Sequence, residues 1–126
     1  MNVLVIDDSL LIRKQLKTFF EKELDFTVVA TGNDGHDAVS LYKEHKPDIV
    51  TLDLTMPNKD GSQALKEIIE FDSQARVVIC SAIKDAAKIT ETLEVGARCF
   101  IKKPLKLRDP EYIQSIKDDI EEALED

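Results

Sequence analysis

The chain has 126 residues, 43% of them apolar, enough for one domain that buries roughly two-thirds of its unfolded surface without disulfides or structural metal. Its 25 acidic residues against 17 basic ones give a net charge of −8 at pH 7, which argues against a nucleic-acid partner or an anionic lipid surface. No stretch approaches the roughly 20 apolar residues that cross a bilayer, so no membrane insertion is expected.

The first apolar run is Val3-Leu4-Val5-Ile6. It lacks the alternation of a half-exposed strand and reads as a strand covered on both faces. It stops at Asp7, far short of the hydrophobic region of a signal peptide. Ile12, Leu16, Phe19 and Phe20 then follow at helical spacing. A weaker strand at Phe26–Ala30 leads to a second helix carrying Ala38, Leu41 and Tyr42. The third strand, Asp48–Leu52, precedes a helix with Ala64, Leu65, Ile68 and Ile69. Val77–Cys80 is a fourth strand, and the helix behind it carries Ala86, Ile89 and Leu93 before stopping at Gly96. Cys99–Ile101 is the fifth. The last helix carries Ile113, Ile116, Ile120 and Leu124, with Asp109 as N-cap and Pro110 in the first turn. Cys80 and Cys99 sit inside strand-like runs without metal or disulfide spacing, which points to a reduced, cytoplasmic protein.

Strand and helix thus alternate five times. That pattern predicts a doubly wound (βα)5 α/β domain with a five-stranded parallel sheet, right-handed crossovers and helices on both faces. Residues 1–126 are expected to form this one domain, with no output domain.

In such a sheet the functional crevice lies beyond the carboxyl ends of the strands. The first strand ends in Asp7-Asp8, the third in Asp53, the fourth in Ser81 and the fifth in Lys102-Lys103-Pro104. Each could instead be a helix cap or a solvated strand end, and Asp8 and Ser9 suit capping as well as they suit a site. Asp53 suits it less, because it closes an apolar strand where burial penalises charge. Three crowded carboxylates repel one another unless a cation is present. Mg2+ prefers oxygen ligands, and with one lysine it would balance Asp7, Asp8 and Asp53. A phosphoryl group on Asp53 would take its charge from −1 to about −2. Ser81 and nearby backbone N–H groups could answer that charge, and carboxylates serve as phosphoryl-accepting nucleophiles elsewhere.

These residues resemble the receiver domain of two-component response regulators, in its stand-alone chemotaxis-type form. The resemblance is carried by Asp7-Asp8, by Asp53 with Met56-Pro57 and Asp60-Gly61 behind it, by Ser81-Ala82, and by Phe100-Ile101-Lys102-Lys103-Pro104. It implies a flavodoxin-like strand order 2-1-3-4-5. It also implies that Asp53 takes phosphate from a sensor histidine kinase or a histidine phosphotransfer protein. Asp8, Asp53 and the Thr55 backbone carbonyl would hold Mg2+, with Asp7 helping directly or through water. Lys103 would neutralise the phosphoryl oxygens, because the family's lysine directly precedes the proline, across a bond that is often cis.

Ser81 and Phe100 match the family's switch pair, although Phe100 taken by itself is simply a core aromatic. A downstream protein target is expected on the face of the fourth helix, fifth strand and fifth helix. The expected state is a monomer, with a phosphorylation-dependent dimer as an alternative. Turnover of external substrates is not expected. A phosphorelay intermediate or a phosphate sink is the alternative to chemotaxis-type signalling. Ser81 stands where Thr is commoner, Phe100 where the chemotaxis form has Tyr, and residues 105–109 form a slightly long segment. Thr55 and Ile83 occupy positions that tune phosphoryl lifetime in the family.

Three rival functions fare worse. A nucleotide-binding enzyme needs a glycine-rich turn where Asp7-Asp8-Ser9 stands. A phosphohydrolase of the haloacid dehalogenase type carries its nucleophile after the first strand with a second Asp two residues on, where this chain has Asp53 after the third strand and Thr55. A pseudo-receiver would not need the acid pair, Asp53, hydroxyl and lysine together. His36 and His45 have no companion ligands nearby in sequence and read as solvated helix positions.

On the helical wheel, Leu10 points away from the core and Leu11 is only partly covered. The pair reads either as ordinary surface leucine or as a docking patch for a kinase or phosphotransfer helix. Residues 118–126 hold six acids and no bases, so most of the negative surplus lies at one helix end, where the helix dipole disfavours it.

Overall fold

The computed structural model describes residues 1–125; Asp126, the last of the C-terminal acids, lies outside the described residues. Elements alternate as β1 (Asn2–Ile6), α1 (Leu10–Glu23), β2 (Thr27–Gly32), α2 (Gly35–His45), β3 (Ile49–Leu52), α3 (Gly61–Phe71), β4 (Val77–Ser81), α4 (Ala86–Val95), β5 (Cys99–Lys102) and α5 (Pro110–Leu124). All strand pairs are parallel, in the order β2-β1-β3-β4-β5. This is the flavodoxin-like order, and β1 and β3 lie side by side where the winding reverses.

The unbroken apolar runs have a simple cause. Leu4 and Ile6 of β1 face a core shared with α2 and α3, whereas Val3 and Val5 face a second core shared with α1 and α5. Both faces of the central strands are covered, so their positions are almost all apolar, Thr51 of β3 and Ser81 at the end of β4 being buried polar exceptions. The two edge strands, β2 and β5, are the partly exposed ones. β2 begins one residue later than the sequence suggests, because Phe26 is drawn off to stack on Phe20 with its N–H bonded to the Phe20 carbonyl.

Each helix starts on a short polar side chain. Ser9, Asp34, Asp60, Asp85 and Asp109 each accept a hydrogen bond from a first-turn N–H, satisfying donors that have no partner within the helix. Ser9, not Asp8, caps α1, which leaves the Asp8 carboxylate out of the helix start. α4 ends at Gly96, whose φ of 140° is one that glycine adopts without strain.

One expectation about a helix face changes. The sequence directs Ala86, Ile89 and Leu93 of α4 inward. Instead Thr92 is the buried residue, Ile89 is half-buried, Ala86 is exposed and Leu93 is 43% exposed. The Thr92 hydroxyl donates to the Ile89 carbonyl at 2.7 Å, so the helix buries a polar side chain without leaving its donor unpaired. At the end of α5, Arg98 Nη1 donates to the carbonyls of Ala123 and Glu125 at 3.3 and 2.7 Å. A cation therefore answers the dipole that the surrounding acids oppose. Among the described residues, no helix is long and apolar enough to cross a membrane.

Candidate functional site at the strand ends

The backbone ladder carries on just past the strands and positions the site. Asp7 N–H donates to the Gly32 carbonyl at 3.0 Å, Asp53 N–H to the Ile6 carbonyl at 3.1 Å, and Lys103 N–H to the Ser81 carbonyl at 3.0 Å. Each bond fixes the residue that follows an apolar strand. Asp7, Asp53 and Ser81 are buried as a result, at 1%, 4% and 1% exposure. The Lys103-Pro104 peptide is cis.

Lys103 closes the cluster. Its Nζ lies 2.7 Å from Asp7 Oδ2 and 3.2 Å from Asp53 Oδ2. The second oxygens take backbone donors, Ser9 N–H to Asp7 Oδ1 at 2.9 Å and Thr55 N–H to Asp53 Oδ1 at 3.3 Å. Asp8 is exposed, and the three aspartates can bring one oxygen each within 4.8 Å of one another. Lys102 is exposed outside this group.

Burial is the main influence on the Asp7 carboxyl and raises its pKa above the usual aspartate range. Lys103 and the Ser9 N–H pull it back only in part, and the Asp53 charge adds to the rise. Burial lowers Lys103, but Asp7 and Asp53 together outweigh that and hold the ammonium above its ordinary value. The cluster is thus short of positive charge. Asp7 Oδ2 also lacks a well-directed hydrogen bond despite the close ammonium, and unpaired lone pairs on a buried carboxylate favour a further cation. An all-oxygen donor set of this kind fits Mg2+.

That shortage of charge has a measurable consequence. A carboxyl whose folded pKa is raised contributes no penalty below the unfolded aspartate pKa, and stability is lost as pH rises through the folded value. Asp7→Asn in EDTA should therefore be more stable than the parent near neutral pH. The gain should close as pH falls into the aspartate range, read from paired urea midpoints.

Ser81 Oγ accepts the Ile83 N–H at 3.4 Å. Phe100 is half-buried and packs against the core on the α2–α3 face. Thr55 is exposed. Leu10 and Leu11 are 56% and 65% exposed, so Leu11 is more open than the helical wheel indicates. His36 and His45 are not brought into any group of potential metal ligands found among the described residues.

The structure adds two residues that the sequence did not single out for these positions. Arg13 Nη1 donates to the Asp7 carbonyl at 2.6 Å. Gly61 lies against the Asp53 backbone, where an added Cβ would sit 2.0 Å from the Asp53 carbonyl oxygen. Its N–H also donates to Leu54 O at 3.0 Å. Gly61→Ala must push the Asp53 backbone aside, and a loss of about 2 kcal/mol in urea unfolding is expected.

Residues 3–114 match the response regulator receiver domain family. The chemotaxis protein CheY of Bacillus subtilis strain 168 is 43% identical over 104 residues, covering 82% of this chain and 86% of that protein. Among solved structures, the CheX-CheY-BeF3-Mg complex from Borrelia burgdorferi aligns with a TM-score of 0.90 at 38% identity, covering 100% of this chain and 90% of that one. The response regulator domain of Thermotoga maritima CheB aligns at 0.84 and 35% identity, covering 98% and 96%.

Proposed function

Because the chain belongs to the response regulator receiver domain family, a family of phosphoaccepting domains, we propose that Asp53 is its phosphoryl acceptor in chemotaxis-type signalling. The observation that carries this is the Lys103 ammonium set between the Asp7 and Asp53 carboxylates, with Asp8 beside them. A carboxylate oxygen of Asp53 attacks the phosphorus of a phosphohistidine on a sensor kinase or phosphotransfer protein. The O–P bond forms as the N–P bond breaks, and its electron pair returns to the imidazole. The chain's own contribution is positioning and charge neutralisation.

Asp7, Asp8, Asp53 and the Thr55 carbonyl would hold Mg2+, which supplies positive charge to the phosphoryl oxygens when bound. Lys103 moves its ammonium from two carboxylates to the new phosphate, and Ser81 Oγ donates its proton to a phosphoryl oxygen. Phe100 then turns inward behind Ser81. Phosphorylation shifts this equilibrium only by the difference in its contacts with the two states.

The readout is a protein target on the α4-β5-α5 face, where exposed Leu93 adds apolar surface. The BeF3 and Mg in the CheX-CheY complex named above support the metal and phosphoryl reading, and its partner supports protein recognition. Leu10 and Leu11 form the docking patch for the phosphodonor. A separate open groove of about 680 Å³ lies between α1 and residues 105–109, lined in part by Lys14, Lys106 and Arg108. In this reading the chain acts as a cytoplasmic phosphoacceptor and not as a turnover enzyme.

The test is intact mass after incubation with acetyl phosphate, with and without Mg2+. One phosphoryl adduct that requires Mg2+ is expected. No adduct in the presence of Mg2+ would favour a receiver that binds partners without phosphorylation.

A further inference from the structure

Asp7 has a neighbour at each of its polar groups, although at Oδ2 it is an ion pair and not a well-directed hydrogen bond. Its N–H is taken by Gly32, its Oδ1 by the Ser9 N–H and its Oδ2 by the Lys103 ammonium. Its carbonyl is the exception within the sheet. β2 ends at Gly32, so the strand offers no further N–H on that side. Arg13, one turn into α1 and half-buried, supplies the donor at 2.6 Å.

We propose that Arg13 is a positioning residue for the metal ligands, acting through the peptide that joins Asp7 to Asp8. This rests on the reading of the aspartate cluster as a Mg2+ site. The peptide unit is planar, so the bond that fixes the Asp7 carbonyl also fixes the Asp8 N–H and the direction in which the Asp8 backbone departs. The next unit is held as well, because the Ser9 N–H is bonded to Asp7 Oδ1. Asp8 thus stands between two fastened peptides, while its own carboxylate has no hydrogen bond or ion pair among the described residues. Nothing but the backbone aims it. Partners that orient metal ligands from outside the coordination sphere commonly alter affinity 10–100-fold when removed.

The sign of the effect separates positioning from charge. Arg13 is a cation near a cation site, so by Coulomb repulsion alone its removal should tighten metal binding. Loss of positioning should weaken it. The experiment is titration with Mn2+, a Mg2+ surrogate whose free ion is counted by electron paramagnetic resonance. It uses the parent chain, Arg13→Ala and Arg13→Lys, at a temperature where circular dichroism shows all three folded. Arg13→Ala is expected to bind Mn2+ roughly 10-fold more weakly. Arg13→Lys, which keeps a long donor, should recover most of the loss. Binding by Arg13→Ala as tight as the parent, or tighter, would overturn the role of Arg13 while leaving the metal site standing. A parent chain that binds no Mn2+ would overturn the metal-site reading, and this inference with it.

Discussion

Asp53→Asn is expected to abolish the phosphoryl adduct with acetyl phosphate and Mg2+ while the chain stays folded. The amide keeps the shape of the carboxyl and an oxygen that can accept the Thr55 N–H now bonded to Asp53 Oδ1. It lacks the anionic oxygen that attacks phosphorus. It also removes one of the crowded negative charges, so the variant should melt no lower than the parent in EDTA. An intact-mass spectrum alongside a melting curve reads both. A surviving adduct would place the acceptor elsewhere, and the melting curve guards against mistaking an unfolded chain for an inactive one.

Lys103→Ala should slow adduct formation by roughly 10²-fold or more, the scale on which a fixed donor to developing charge acts in a buried site. The lysine bridges Asp7 and Asp53 at 2.7 and 3.2 Å, so its ammonium is in place before the phosphoryl group arrives. Divalent-ion affinity should hold or rise, because the change removes a competing cation and no ligand. Rates from time-resolved mass spectra and affinities from calorimetry would therefore move in opposite directions. A parallel fall in both would instead mean that Lys103 serves mainly to hold the site together. Lys103→Arg should restore charge more fully than rate, since a planar guanidinium does not replace a compact ammonium between two carboxylates.

Much of this was legible in the residues, for identifiable reasons. Runs such as Val3–Ile6 and Val77–Cys80 read as strands because both sheet faces are covered, and strand ends then follow from where the apolar run stops. That logic puts Asp7, Asp53, Ser81 and Lys103 at one edge from the residues alone. It failed at α4, where counting apolar residues sent Leu93 inward; a threonine that satisfies its own hydroxyl within the helix competes for the core as well as a leucine does. It was also silent on Arg13, whose partner is a backbone carbonyl. Any side chain can lie over a backbone carbonyl, so residue type carries no trace of such a bond. Gly61 was visible only as part of a family pattern, and the close approach to the Asp53 carbonyl supplies the reason a side chain is excluded there.

The burial of α4 differs in kind from that of its neighbours. α3 sends five residues into the interior, α1, α2 and α5 three each, and α4 only Thr92, so α4 is the helix anchored by the fewest buried residues. Local unfolding free energy follows such anchoring. The fold therefore pairs a chemical edge pinned by three ladder hydrogen bonds with a helix close to the low end of the stability range. A few kcal/mol is already a large share of a domain's net stability, and a helix anchored by so few buried residues opens for less than the whole domain does.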